Sequence, residues 1–271
     1  MGCRGLWRFL TKKKYKPGIL FPRNQRGALG PGNMIRFDVQ GSVFPTIRHA
    51  YSHCTSLKSA HTLVEKRIRQ LVRNPERVVL YLDGVQCKEK QETHQQRQQG
   101  RAKAIATADE KVSSFVECIE TGRRIRKQDF ISINKYLNAA FCWDPDARHG
   151  LARFLGELGW NVVECITEAD TQIARDCQDG DIVITGDSDA LVYSTITTVW
   201  RPLADGKFLE YCMKDVLSAL KIDRTQLTVL GIVSYNDYNR NIRGLGCETN
   251  YGIIKRLASK GMHNALSLAC I

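Results

Sequence analysis

The chain has 271 residues, a formal net charge of +12, 43% hydrophobic residues and 25% charged residues. This length suffices for one large α/β domain, and the ordinary hydrophobic content excludes a largely disordered chain. No stretch approaches the ~20 consecutive apolar residues that a membrane-spanning helix needs, so we expect no membrane partner.

The positive charge is concentrated at the N-terminus, where residues 1–36 carry nine Lys or Arg and no acidic residue. Clustered cations favour a phosphate-rich partner, and a basic surface that only keeps the protein soluble is the alternative. The ten cysteines form no CxxC pair, which indicates neither a zinc site nor a disulfide framework. We expect thiols such as Cys118, Cys142 and Cys212 to pack as small apolar groups in a reducing, intracellular compartment.

The first half of the chain alternates between strand and helix patterns. Residues 34–37 predict a short strand ending at Asp38, and apolar spacing near 3.6 predicts a helix over 55–73. Residues 77–82 predict a buried strand that ends at Asp83. The polar stretch 86–128, rich in Gln, Lys and Arg, predicts helix that packs loosely.

The second half resumes the alternation. The predicted elements are a helix over 146–158 with Gly159 as its C-cap, a strand over 160–165, a helix over 169–177, a strand over 181–185, a strand near 191–200, a β-turn at 205–206 and helices over 213–233 and 248–259. Strands separated by helices predict an α/β fold, with a mainly parallel central sheet and helices on both faces. In such sheets ligands bind at the carboxyl ends of the strands.

Acidic side chains follow the predicted strands at that edge. Asp38, Asp83, Glu168 and Asp187 all lie at or just beyond a strand end, so we expect their carboxylates to lie close together. Asp187 and Asp189, at i and i+2, repel each other without a counter-ion, and a turn with solvated acids is the alternative.

The segment Thr167-Glu-Ala-Asp170 has two interpretations. A capping box with Thr167 as N-cap is the one that this segment favours when taken alone. The other has Glu168 and Asp170 facing a cation together. Mg²⁺ prefers hard carboxylate oxygens, and two such ions about 4 Å apart are a recurring device of phosphodiester hydrolysis.

Four motifs in order resemble the flap endonuclease and XPG family of structure-specific nucleases. They are the start Met1-Gly-Cys-Arg-Gly-Leu6, the segment Thr167-Glu-Ala-Asp-Thr-Gln-Ile-Ala174, the segment Thr185-Gly-Asp-Ser-Asp-Ala-Leu191, and Asn236-Asp-Tyr-Asn-Arg-Asn-Ile-Arg-Gly-Leu-Gly246. The family has a PIN-like fold with a helical arch and a C-terminal helix–two-turn–helix motif. The resemblance implies the same here.

The resemblance also assigns the site. It implies two Mg²⁺ ions, with Mn²⁺ as a substitute, held by seven acids: Asp38, Asp83, Glu168, Asp170, Asp187, Asp189 and Asp237. Lys90 and Arg97 match the basic pair that holds the scissile phosphate, and their spacing of seven residues puts both on one helix face. A solvated basic face is the alternative for this pair.

The remaining implied contacts are with nucleic acid. Phe44 matches an aromatic that stacks on a base, although Phe44 on its own is more typical of a core residue. K⁺ is implied at the helix–two-turn–helix, where Cys247-Glu248 replaces the usual Pro-Lys. The full set of implied nucleic-acid contacts is Gly2, Phe44, Arg101, Arg243, Gly244, Gly246, Lys255 and Arg256.

These assignments predict a nuclease core over 1–239, with an N-terminal part over 1–85, an arch over 86–135 and an internal part over 145–239. A truncated duplex-binding segment over 240–271 follows. We expect a monomeric, structure-selective nuclease that cuts DNA near single-strand/double-strand junctions, as a 5′-flap endonuclease or a 5′-3′ exonuclease. The alternatives are a non-catalytic nucleic-acid-binding scaffold on this fold and a PIN-like ribonuclease acting on RNA. We expect a nuclear location, with mitochondria as the alternative, and no sliding-clamp motif is visible in the chain.

Overall fold

One seven-stranded sheet organises the computed structural model, which describes residues 3, 5–13, 15–21, 29–85, 87–124, 126–238 and 244–260. The strands are β1 (Gly18–Leu20), β2 (Ile35–Asp38), β3 (Val78–Leu82), β4 (Asn161–Glu164), β5 (Ile182–Ile184), β6 (Thr198–Pro202) and β7 (Phe208–Cys212). Their order is β1-β7-β6-β5-β2-β3-β4. The run from β6 to β4 is parallel, and only the pairs β1–β7 and β6–β7 are antiparallel among the described strands. The predicted mainly parallel sheet is confirmed.

Helices cover the sheet and extend beyond it. They are α1 (Leu6–Lys12), α2 (Val39–His53), α3 (Leu57–Leu71), α4 (Gln91–Glu120), α5 (Lys127–Ala140), α6 (Pro145–Glu157), α7 (Ala169–Asp176), α8 (Met213–Leu220), α9 (Arg224–Val233) and α10 (Cys247–Ser259). Leu158, not the predicted Gly159, is the C-cap of α6, and Gly159 follows it with a left-handed φ of 82°, the conformation that often ends a helix. Among the described residues, no helix combines the length and apolar character needed to cross a bilayer.

Alternate residues of the strands feed two apolar clusters. Ile182 and Ile184 of β5 pack with α2, α3 and α6, whereas Val183 packs with α1, α7, α8 and α9. Side chains of a strand alternate between the faces of its sheet, so the two clusters lie on opposite faces.

Two further predictions about local structure are wrong, and one helix was not predicted. The segment near 191–200 is not one strand, because Asp189–Leu191 forms a 3₁₀ turn and the strand begins only at Thr198. The helix α2 was missed because Pro45 lies inside it, and the helix is kinked at Val43. Cys142 is exposed, so it does not pack as an apolar group.

The helices α4 and α5 pack against each other in the polar stretch predicted to form the arch. Their hairpin runs to Ala140, five residues beyond the predicted limit at 135. Ala104 and Ala108 are the buried residues of α4, so most of this 30-residue helix is exposed, as its weak apolar pattern indicated.

A buried ion pair joins β2 and β5 at their amino ends. Asp181 is 1% exposed and accepts hydrogen bonds from Arg36 Nε at 2.9 Å, Met34 N at 2.8 Å and Gln178 N at 3.1 Å. Arg36 also donates to the Tyr81 hydroxyl. Removing one member of such a pair leaves the other charge buried and unpaired.

We expect Asp181→Ala to lower the free energy of unfolding by roughly 3–5 kcal/mol, since Arg36 and two backbone N–H groups lose their acceptor. Urea unfolding followed by circular dichroism measures this change. Asp179→Ala is the matched control, because Asp179 is an exposed carboxylate two residues away. A loss below about 1 kcal/mol for Asp181→Ala would show that the pair does not hold these strands.

Candidate active site

Six of the seven predicted acids line one pocket at the carboxyl edge of the sheet. The pocket has a volume of about 110 Å³, and its acids are Asp38, Asp83, Glu168, Asp170, Asp187 and Asp237. The strands β3, β2 and β5 are parallel neighbours, so their carboxyl ends meet at one edge of the sheet. Asp83, Asp38 and Asp187, which lie at or just beyond these three ends, are therefore brought to the same edge. The structure therefore brings six of the predicted acids together in one pocket.

Hydrogen bonds fix Asp38 where β2 turns into α2. Its two carboxylate oxygens accept from Gly41 N at 2.8 Å and from Thr185 Oγ1 at 2.7 Å. A side chain at Gly41 would place its Cβ 2.0 Å from the Asp38 carboxylate, so glycine is required for this close approach.

Asp83 is held from the opposite side. Its carboxylate accepts from Ala169 N at 2.8 Å, and the following Gly84 N donates to Thr167 O at 2.6 Å. The predicted capping box at Thr167 is wrong, because the N-cap of α7 is Glu168 and its side chain forms no capping bond. The carboxylate of Asp83 instead accepts from Ala169 N at the start of α7, so the Glu168 side chain, which forms no capping bond, faces the pocket.

Asp189 lies apart from the other six. It lines an adjoining, mostly apolar cavity of about 380 Å³ with Cys3, Tyr193 and Tyr238, and it accepts a hydrogen bond from Cys3 N. Asp189 N donates to Asp187 Oδ1 at 3.2 Å, which keeps the two acids in contact through the backbone.

Three cationic side chains enter the pocket. Lys90 forms an ion pair with Glu168, and Arg97 forms one with Asp237 at 2.6 Å. Arg148 of α6 donates from Nη1 to the carbonyl oxygens of Asp83 at 3.1 Å and Gly84 at 3.2 Å. The sequence analysis predicted Lys90 and Arg97 but missed Arg148, because a single arginine in a helix has no spacing signal.

Burial and crowding raise the pKa values of five of the acids. Burial first, and then the charge of Asp83, raise the pKa of Asp38 to about 7. Burial and the charge of Asp187 raise the pKa of Asp189 to about 6. The pKa values of Asp83, Glu168 and Asp187 are raised as well, with burial as the largest cause in each. A site in which ionised carboxylates are this costly favours the binding of a cation.

The donor set of the pocket fits hard divalent ions. Its described lining contains carboxylates and the side chain of Gln40, whose buried Oε1 has no hydrogen-bond partner, and it contains neither His nor Cys. Mg²⁺ takes such oxygen ligands and retains several waters. Within the described residues, no group of three or more His, Cys, Asp or Glu side chains is arranged to hold a metal ion as it stands. Two of the acids are engaged with Lys90 and Arg97.

The predicted nucleic-acid contacts are spread around this pocket. Phe44 is half-buried on α2, with its ring 6.0 Å from that of Phe141, so it is not a core residue. Arg101 lies one turn beyond Arg97 on α4. Gly2 and Arg243 lie outside the described residues.

The segment of the predicted hairpin is described from Gly244 onward. Gly244 has a left-handed φ of 88°, and Gly246 is the N-cap of α10, which carries Lys255 and Arg256. Cys247 is buried, and Glu248 forms an ion pair with Lys12 at 2.9 Å, so the extra anion of this chain has a counter-ion.

Comparisons with known proteins find relatives in one group of nucleases. The chain is 28% identical over 184 residues to flap endonuclease 1 of Methanobrevibacter smithii, across 66% of this chain and 52% of that protein. It is 32% identical over 113 residues to flap endonuclease 1 of Cryptosporidium muris, across 36% and 24%. The chain thus spans about half the length of the first of these relatives. No protein-family model matches the chain.

Solved structures show the same fold. The catalytic core of Rad2 in complex with DNA substrate matches with a TM-score of 0.60 at 16% identity, across 95% of this chain and 68% of that one. Flap endonuclease-1 from Methanococcus jannaschii matches with 0.52 at 17% identity, across 85% and 73%. A eukaryotic junction-resolving enzyme, GEN-1, binding with potassium matches with 0.53 at 14% identity, across 96% and 52%.

The raised pKa of Asp38 predicts an unusual dependence of stability on pH. Between its ordinary value of 3.8 and about 7, the folded protein holds a proton on Asp38 that the unfolded chain has lost. The contribution of Asp38 to the free energy of unfolding therefore falls as pH rises through this range, by roughly 2–4 kcal/mol.

We expect Asp38→Asn, which keeps an acceptor for Gly41 N, to gain stability relative to the parent protein as pH rises from 5 to 8. Urea unfolding in EDTA at several pH values measures the difference. Added Mg²⁺ should reverse it by stabilising the parent. A difference that is constant with pH would contradict the raised pKa.

Proposed function

We propose that the chain is a member of the flap endonuclease and XPG family and acts as a structure-selective nuclease that hydrolyses DNA phosphodiester bonds near single-strand/double-strand junctions. The observation that carries this proposal is the gathering of six carboxylates, Lys90 and Arg97 in one pocket at the edge of the sheet. The match spans about half the length of the first of these relatives, so the proposal rests on the pocket rather than on the activities of those proteins.

We assign two Mg²⁺ ions to the pocket, with Mn²⁺ as a substitute. The residues that would hold them are the six acids that line it, Asp38, Asp83, Glu168, Asp170, Asp187 and Asp237, together with Asp189, which contacts Asp187 from the adjoining cavity. Bound ions of this kind lower the pKa of a water and neutralise charge on the phosphate. Gln40 Oε1, buried and without a partner, is a further oxygen that suits the same ions.

The cationic residues have the task of orienting the scissile phosphate. Lys90 and Arg97 lie at the start of α4, above the acids, and donate charge-assisted hydrogen bonds to phosphate oxygens. Positioning of this kind supplies most of the protein's own contribution in phosphate-transfer chemistry, since little covalent work falls to side chains. Phe44 stacks on an unpaired base, and Arg101 follows the strand along α4.

We propose that duplex DNA binds at the segment from α9 to α10. The N–H groups at the start of α10 and the left-handed Gly244 suit a phosphate, and this segment would also hold K⁺, whose charge would favour the DNA backbone there. Gly246, Lys255 and Arg256 complete the contacts. The α4–α5 hairpin, which carries Arg97, Arg101 and Lys103 in the first half of α4, admits the single strand. We further propose that the protein is a monomer and that it acts in the nucleus.

We expect Asp187→Ala to reduce Mg²⁺-dependent cleavage of a 5′-flap DNA by about 10³-fold or more, because removing a metal ligand removes the charge on which hydrolysis depends. Denaturing gel electrophoresis of end-labelled DNA measures cleavage. The assay should use a panel of substrates: flap, nicked, gapped and four-way-junction DNA, with a matched RNA flap.

Asp179→Ala is the control, because Asp179 is an exposed carboxylate at the other end of β5. Undiminished cutting by Asp187→Ala would exclude the assigned site. Cutting restricted to RNA would favour the ribonuclease alternative, and a parent protein that binds DNA without cutting any substrate would favour the scaffold.

A further inference from the structure

The three cations of the pocket differ in what they bind. The side chains of Lys90 and Glu168 are 11% and 21% exposed and form an ion pair that is largely shielded from water. Arg97 and Asp237 pair at 2.6 Å with exposures of 40% and 15%. Arg148 forms no ion pair with any described residue and binds two backbone carbonyls. Two of the three cations are thus bound to acids assigned to the metal ions.

A carboxylate that is held by an ammonium or guanidinium group is a poorer ligand. The cation occupies oxygen lone pairs and cancels the charge that attracts Mg²⁺. For the same reason, a lysine or arginine that is paired with an acid is a poorer phosphate binder. The site therefore cannot bring Glu168 fully to a metal and Lys90 fully to a phosphate until the pair between them opens.

We propose that Lys90 and Arg97 are exchangeable counter-ions: they neutralise Glu168 and Asp237 in the metal-free protein, and divalent-ion binding releases them to hold the substrate phosphate. The inference rests on the proposed function and adds the order in which metal and phosphate bind. Metal binding comes first and raises affinity for phosphate. By linkage, phosphate binding raises the affinity for metal by the same factor.

The surroundings of both cations suit an exchange that moves side chains alone. Lys90 Nζ lies 4.4 Å from the centre of the Tyr238 ring, so the ammonium keeps a favourable cation–π contact when Glu168 turns away. Thr93 Oγ1 donates to Asp237 O at 2.9 Å, which ties the start of α4 to the backbone of Asp237. The helix stays in place while Lys90 and Arg97 change partners.

Arg148 does not take part in this exchange of partners. Its hydrogen bonds go to the carbonyl oxygens of Asp83 and Gly84, which are not the carboxylates that divalent ions attract. Its charge is present with or without metal. Arg148 is therefore a metal-independent cation in the same pocket and a reference for the other two.

Titration of Mg²⁺ alone into DNA-free protein at pH 8, by isothermal calorimetry, tests the inference. We expect Lys90→Met to bind Mg²⁺ about tenfold more tightly than the parent, since Glu168 no longer has to leave a shielded partner. Arg97→Met should gain less, about threefold, because its pair is more exposed. Lys88→Gln, which removes an exposed charge from the same turn, is the control and should change the affinity less than twofold.

Unchanged or weaker Mg²⁺ binding by Lys90→Met would overturn the inference and leave the proposed function standing. A parent protein without any Mg²⁺ binding that depends on Asp187 would instead overturn the proposed function. Thermal unfolding in EDTA shows whether each variant is folded. If Lys90→Met does not fold without metal, the gain expected of Arg97→Met decides the question.

The affinity for DNA gives a second readout. Fluorescence anisotropy of a labelled 5′-flap DNA, in EDTA and in Ca²⁺, compares Lys90→Met, Arg97→Met and Arg148→Gln with the parent. The first two should lose at least about fivefold more affinity in Ca²⁺ than in EDTA, because their charges are free only when metal is bound. Arg148→Gln should lose the same factor in both buffers. Equal losses in both buffers for Lys90→Met would count against the exchange.

Discussion

Repulsion among carboxylates is the constraint on which the rest of this structure depends. A parallel sheet delivers the carboxyl ends of β2, β3 and β5 to one edge, and an acid follows each of them. Each acid is buried enough for its pKa to rise, so the folded state bears a free-energy cost wherever these groups are ionised. The protein offsets this cost with donors that point at single oxygens, namely Gly41 N, Thr185 Oγ1 and Ala169 N.

The opposite edge of the sheet has the reverse arrangement. There Asp181 has Arg36 and two backbone N–H groups as partners, and its charge is fully satisfied. An ion pair therefore joins the amino ends of β2 and β5, while Asp38 and Asp187 at the carboxyl ends of the same strands accept hydrogen bonds but form no ion pair among the described residues. The strands β2 and β5, of four and three residues, separate the two edges. A substitution among the acids at the carboxyl ends therefore need not disturb the ion pair at the amino ends.

The sequence predicted the elements whose patterns are local and missed those that depend on distant partners. Buried strands such as Val78–Leu82 and Ile182–Ile184 are apolar runs, and the acids after them were found. The strands β1 and β7 were missed: β1 has three residues at the sheet edge, and β7 pairs antiparallel with it. The cap of α7 was misassigned because its acceptor is the carboxylate of Asp83, which lies 86 residues from Ala169. No pattern around Arg148 relates it to Asp83, 65 residues away.

The first helix joins the pocket to the segment proposed to bind duplex DNA. At one end, Cys3 N donates to Asp189, and Ser188 Oγ donates to Cys3 O. At the other, the Phe9 ring lies 5.3 Å from that of Tyr251, and Lys12 pairs with Glu248 on α10. The seven residues of α1 thus set the spacing between the acids and α10.

A nuclease that selects junctions must cut at a set distance from the end of a duplex. Under the proposed function, the contacts of Cys3 at one end and of Phe9 and Lys12 at the other would set such a distance. Glu248 is unusual beside a phosphate site, yet its bond to Lys12 makes it part of this connection. Under the proposed function, Glu248 at the start of α10 would weaken the binding of duplex DNA there, while its ion pair with Lys12 joins α10 to α1.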